Sequence, residues 1–80
     1  MPYQNEHAAR LMDPKLFDNF RRANDHFKEG IHAIFGRLKS DGGWRLQAIR
    51  FDASRYSPAW CLAWLRAHGY RPILFEPAAG

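Results

Sequence analysis

WRLQAIRFDASRYSPAWCLAWLRAHGYRPILFE, residues 44–76, reads as a strand, a capped helix and a short extended return. Ser57 is a suitable N-cap, because its hydroxyl can accept from an early backbone N–H that has no partner within the helix. Pro58 follows at the first helical position, where its missing N–H is harmless and its fixed φ suits the turn. Gly69 stands just past the end, where a left-handed residue closes the last carbonyls. His68 in the final turn suits the negative end of the dipole. The signals predict a helix over Pro58–His68. Cys61, Trp64, Leu65 and His68 fall at i, i+3, i+4 and i+7, the spacing of a buried stripe. Trp60 and Leu62 stand about 90–110° to either side of it, where a monomer's helix usually carries Glu or Lys.

Upstream, Ile31–Lys39 and Trp44–Asp52 read as a β-hairpin around the turn residues Ser40-Asp41-Gly42-Gly43. Strict alternation in the second strand would set Leu46 and Ala48 on one face, with Gln47, Ile49 and Phe51 on the other. Gly36 inside the first strand points to a bulge or to the close approach of an aromatic ring. Downstream, Tyr70–Phe75 reads as a last strand, which Pro72 confines to a sheet edge.

The first third of the chain is harder to read. Residues 1–12 lack a period and are expected to form a flexible arm. In residues 13–30, Leu16, Phe17, Phe20, Ala23, Asn24 and Phe27 approach helical spacing and Asp13-Pro14 could cap a helix. A strand around Asn19–Ala23 with a turn at Asn24–Asp25 is the alternative. Residues 77–80 are expected to fray. The expectation is one α+β domain over residues 13–76: a small antiparallel sheet, built from the hairpin and an edge strand, packed on one main helix. A further helix or strand falls in residues 13–30.

Composition narrows the function. Eighty residues allow one modest core, and a hydrophobic share of 46% with 15% aromatics is enough to fold it. The net charge of +4 favours acidic partners. A single Cys excludes an internal disulfide. No apolar run approaches the ~20 residues of a membrane span, and the start lacks a signal-peptide core. A cytoplasmic location without membrane contact is expected.

Gly30-Ile31-x-Ala33-Ile34-x-Gly36-x-Leu38-Lys39, then Gln47-x-Ile49-Arg50-Phe51-Asp52, then Ser57…Ala63-Trp64-Leu65-x-x-His68-Gly69-Tyr70 form a pattern over residues 20–75. It resembles a small module of tailed-phage and prophage proteins, found beside head-maturation (prohead) protease domains. The resemblance implies a compact unit whose sheet packs on the Trp64-bearing helix. It also implies a strand at Phe20-Arg21. No protease domain accompanies the module in this chain, so no catalytic residue carries over.

The residues point away from an enzyme. His7, His26, His32, His68 and Cys61 show none of the paired spacings of zinc sites. Cys61 lies on the buried stripe, and Ser54 and Ser57 have no base at hand. Ser40–Gly43 joins two strands and opens no helix, so it is not a phosphate loop. Neither a metal nor another cofactor is expected. Two binding surfaces are. Trp60 and Leu62 suggest a docking face for a protein, since exposed Trp is enriched among interface anchors. Arg37, Lys39 and Arg45 cluster if the hairpin forms, and could contact phosphates. The leading expectation is a non-enzymatic, phage-type protein-binding module that blocks a host defence complex sterically, in the manner of an anti-CRISPR inhibitor. Its partner would be a host or phage protein complex with an acidic face. A nucleic-acid-binding accessory protein, a virion-assembly module and a homodimer are the alternatives.

Overall fold

A computed structural model describes residues 3–79. Five antiparallel strands form one sheet in the order β2-β3-β4-β1-β5, and one helix covers one of its faces. β1 is Glu6–Arg10, β2 Phe17–Lys28, β3 Ile31–Leu38, β4 Trp44–Asp52, α1 Pro58–Ala67 and β5 Leu74–Glu76. The α+β architecture expected from the sequence is the one observed.

The helix begins at Pro58 as its sequence predicts and ends at Ala67, one residue short of the expected end, with His68 as its C-cap. The Ser57 hydroxyl accepts from the Trp60 N–H at 3.1 Å, and Pro58 opens the first turn. At the other end Gly69 has φ +78°. The Tyr70 N–H donates to the Leu65 carbonyl and the Gly69 N–H to that of Arg66, the paired bonds of a Schellman motif. The Tyr70 ring then packs on Trp64, with centroids 6.1 Å apart.

The core lies between α1 and the sheet. Ala9, Ile31, Ile49, Phe51, Cys61 and Leu65 are its fully buried members. Of the predicted stripe, Cys61 and Leu65 are buried, Trp64 is half-buried and His68 is exposed. Burial pushes the Cys61 thiol up from 9.0 to about 12. Because the folded value is raised, the neutral thiol stabilises the fold at and below pH 9.0, and that contribution fades as pH rises toward about 12. Two outcomes are expected: thiol reagents label native protein far more slowly than unfolded protein, and the stability advantage over Cys61→Ala shrinks above pH 9.0. Fast native labelling would place Cys61 at the surface.

The hairpin forms as β3 and β4, with Gly42 at φ +73° in its turn. Strict alternation fails in β4. Ile34 pairs with Ala48 but Phe35 pairs with Leu46, so Gln47 is an extra residue, a β-bulge. Its carbonyl accepts from the Leu11 and Met12 N–H groups, and its side-chain amide donates to the Met12 carbonyl at 2.9 Å. The bulge turns Leu46 onto the core while Ala48 stays on the opposite face.

Gly36 marks a close aromatic approach, as expected. A Cβ there would sit 2.5 Å from the Phe17 ring, which is itself buried. Gly36→Ala is therefore expected to lower stability by about 1–3 kcal/mol, the range of core overpacking. A urea midpoint equal to wild type would show that Phe17 can move aside.

Residues 13–30 overturn the helical reading. Asp13-Pro14 does start a helical turn, with the Asp13 carboxylate accepting from the Lys15 N–H, but it is a single 3₁₀ turn over Pro14–Leu16. The chain then becomes extended for 12 residues as β2. Register shifts between Phe17 and Asn19, and again between Ala23 and Lys28, break its two-residue period. Phe17 and Phe20 consequently meet, with ring centroids 5.9 Å apart, at a spacing of three that imitates a helix. At the second shift Asp25 adopts φ +54°, and Phe27 reaches the helix layer to pack on Trp64 at 5.4 Å.

The described ends of the chain also differ from expectation. Within the expected N-terminal arm, Glu6–Arg10 form β1, which lies between β4 and β5 with Ala8 and Ala9 buried, while Met1 and Pro2 lie outside the described residues. Five residues rich in Ala bury little surface of their own, so a sequence period is hard to see. Nor do the described residues of the C-terminal segment fray. The Ala78 N–H donates to His7 Nδ1 at 2.8 Å, and the Ala79 N–H to the Tyr3 carbonyl at 2.7 Å; Gly80 lies outside the described residues.

Candidate functional site

The outer face of α1 is built from Ala59, Trp60, Leu62, Ala63, Arg66 and Ala67, all at least partly exposed. Ala59, Ala63 and Ala67 recur every four residues and form a low ridge between Trp60 on one flank and Leu62 and Arg66 on the other. Trp60 is 38% exposed and Leu62 41%. The helix PAWCLAWLRA has no acidic residue, and Arg66 is its only charged side chain. A solvated face normally alternates Glu, Lys and Gln there.

Trp60 is held by an aromatic and a cationic neighbour. Its indole stacks on Tyr56, with centroids 4.2 Å apart and planes 19° from parallel, and Lys28 Nζ stands 5.6 Å from the ring. Tyr56 is anchored in turn by its hydroxyl, which donates to the Glu29 carbonyl at 2.6 Å. The nearby Glu29 carboxylate is engaged by Arg55 at 2.7 Å. The N-terminal segment is taken up in the sheet as β1 and leaves the indole exposed.

The basic hairpin is not a single patch. Arg37 pairs in register with Trp44, whereas Arg45 pairs with Gly36, so the two guanidiniums project to opposite faces. Each is also neutralised: Arg37 by Asp18 at 3.1 Å and Arg45 by Asp41 at 3.6 Å. Lys39 lies beyond the end of β3, its N–H bonded to the Leu16 carbonyl. Among the described residues, Lys15, Arg21, Lys28, Lys39, Arg66 and Arg71 have no ion-pair partner. Two of these, Lys28 and Arg66, belong to the neighbourhood of α1's outer face.

The sheet face away from α1 holds a network that no spacing in the sequence revealed. Glu6 accepts from both Arg22 and Arg50, and Arg50 also donates to the Tyr3 hydroxyl at 2.6 Å while lying over the Tyr3 ring. Its residues lie far apart in the chain and meet only through the pairing of β2, β3, β4 and β1 in the sheet. The Arg22 hydrogen bond above all, then the charges of both guanidiniums, hold the Glu6 carboxyl below its ordinary value, against the opposing effect of burial. A lowered carboxyl stabilises the fold above the ordinary value of 4.5, and this is lost as pH falls through the lower folded value. Glu6→Gln is accordingly expected to be less stable than wild type at pH 7, with the gap closing below pH 4.5. A gap independent of pH would exclude the ion pairs as its source.

Glu6, His32 and Asp52 come close enough to be weighed as metal ligands. The tautomer argues against it. The Asp25 N–H donates to His32 Nδ1 at 2.9 Å, so the ring proton resides on Nε2, which donates to Asp52 at 2.8 Å. A metal on Nε2 would drive that proton to Nδ1, against the Asp25 N–H. Glu6, moreover, is already engaged by two arginines. The cluster clamps the β2 bulge to the sheet. No protein-family model, curated protein or solved structure matches this chain.

Proposed function

We propose that the protein is a non-enzymatic binding module that docks a protein partner on the outer face of α1. The observation that carries this reading is an exposed helix face with Trp60 and Leu62 on its flanks, an alanine ridge between them and no carboxylate of its own. Small residues let a partner's backbone approach closely, and a rigid aromatic at the margin supplies an anchor. Lys28 and Arg66 beside it favour a partner with an acidic rim. A second copy of the chain would set these cations against their like, so charge favours a different protein. The module acts by occupying its partner's surface. In the phage setting suggested by the sequence pattern, that partner is a host defence complex and the outcome is steric inhibition.

The experiment is capture of partners from host-cell lysate with and without nuclease, followed by affinity measurements across salt. A protein that survives nuclease and whose affinity changes less than tenfold between 50 and 500 mM salt is the expected result, since an apolar interface is weakly screened (about tenfold being the bound set for a few rim charges). Capture abolished by nuclease, with a steep salt slope, would transfer the reading to nucleic acid.

A further inference from the structure

The face of the sheet opposite α1 contains an open pocket of about 420 Å³. Ala8, Ile34 and Ala48, from three strands, supply an apolar floor. Phe20 and Tyr3 stand at its walls, Phe20 being 46% exposed. Arg10, Arg22 and Arg50 also line it, and among the described residues no carboxylate does.

We propose that this pocket is a binding site, independent of the α1 face, for a small amphiphilic carboxylate carrying one negative charge. The three guanidiniums are opposed by the two carboxylates paired with them, Glu6 and Glu76, which leaves one net positive charge at the pocket. A single carboxylate neutralises it. Arg10 is the group that receives the anion. Arg22 and Arg50 are committed to Glu6, but the Arg10 side chain makes no hydrogen bond among the described residues, and its nearest carboxylate, Glu76, stands 3.5 Å away. A guanidinium has five donors in a planar fork, suited to a carboxylate. The ligand's apolar body would lie on Ala8, Ile34 and Ala48, with its edge against Phe20. The volume falls within the range of small-molecule pockets, roughly 300–1,000 Å³. A second copy of this face would bring arginines against arginines, which disfavours self-association there.

The test is a titration followed by backbone amide NMR shifts, with 3-phenylpropionate as probe. Acetate, phenethylamine and phenyl phosphate serve as the anion alone, the cationic counterpart and the doubly charged alternative. Phenylpropionate should shift Ala8, Ile34 and Ala48 with a Kd on the order of 1 mM. Acetate should bind at least tenfold more weakly, and phenethylamine should leave those residues unmoved. Arg10→Gln should weaken binding at least tenfold. Glu76→Gln, which removes the carboxylate competing for Arg10, should tighten it severalfold. Opposite responses of these two variants would not arise from a purely structural role. Equal shifts with phenethylamine, or unchanged affinity in both variants, would overturn the proposal. Tighter binding of phenyl phosphate than of phenylpropionate would overturn the choice of a singly charged carboxylate.

Discussion

Phe51→Ala is expected to destabilise the protein by about 3–5 kcal/mol, the range for large aromatics removed from a core. Phe51 is fully buried on the central strand β4, paired with Ile31 on one side and His7 on the other. Its ring meets Trp64 edge-on at 5.6 Å, so the substitution opens a cavity under the helix and removes its main support on the sheet. In an 80-residue domain a loss of this size approaches the whole stability, which is typically about 5–15 kcal/mol. Trp64→Ala should cost less, nearer about 3 kcal/mol, because the indole is only half-buried and lies among Phe27, Tyr70 and His68 at the margin of the core. Urea unfolding of both variants checks the order. A Phe51→Ala midpoint above that of Trp64→Ala would show that the aromatic cluster around the indole, not the sheet–helix packing, holds the domain together.

The helix and the hairpin were legible because each carries its own local chemistry. Ser57, Pro58 and Gly69 act through bonds within a few residues, and so do the Ser40–Gly43 turn residues. β2 was not legible because its two register shifts place Phe17, Phe20 and Phe27 at intervals that a helix also uses. Nothing local distinguishes the two; pairing with β3 decides it. β1 was missed for a related reason. His7, Ala8 and Ala9 are buried by β4 and β5, which lie more than 30 residues further along the chain, and two alanines carry almost no pattern of their own.

The candidate surfaces divide in the same way. Trp60 and Leu62 are exposed where helical geometry put them, since their place depends on α1 alone. Arg37, Lys39 and Arg45 looked like one cluster in sequence, but the alternation of a strand sends Arg37 and Arg45 to opposite faces, and Asp18 and Asp41 neutralise them. The pocket on the opposite sheet face draws its arginines from β1, β2 and β4, so only the assembled sheet could disclose it.

Docking through α1 depends on Trp60 and Leu62, and Trp60→Glu with Leu62→Lys addresses it directly. Both side chains are surface groups, and the principal interaction removed within the chain is the Trp60–Tyr56 stack, worth about 0.5–1.5 kcal/mol. Folding should therefore persist. Affinity should not: an aromatic anchor turned into a charge at an interface is expected to cost about 2 kcal/mol or more, close to a thirtyfold rise in Kd. Charge reversal at Arg37 and Lys39, away from this face, should leave the affinity within about threefold, as distant surface substitutions do. The deciding measurement is the Kd of wild type and of the Trp60→Glu, Leu62→Lys variant for the captured partner, with thermal melts run beside it. The expected variant melts cooperatively within a few degrees of wild type and binds at least about thirtyfold more weakly. A folded variant that binds as tightly as wild type, or one that fails to fold because Trp60 belongs to the core, would contradict docking through this face.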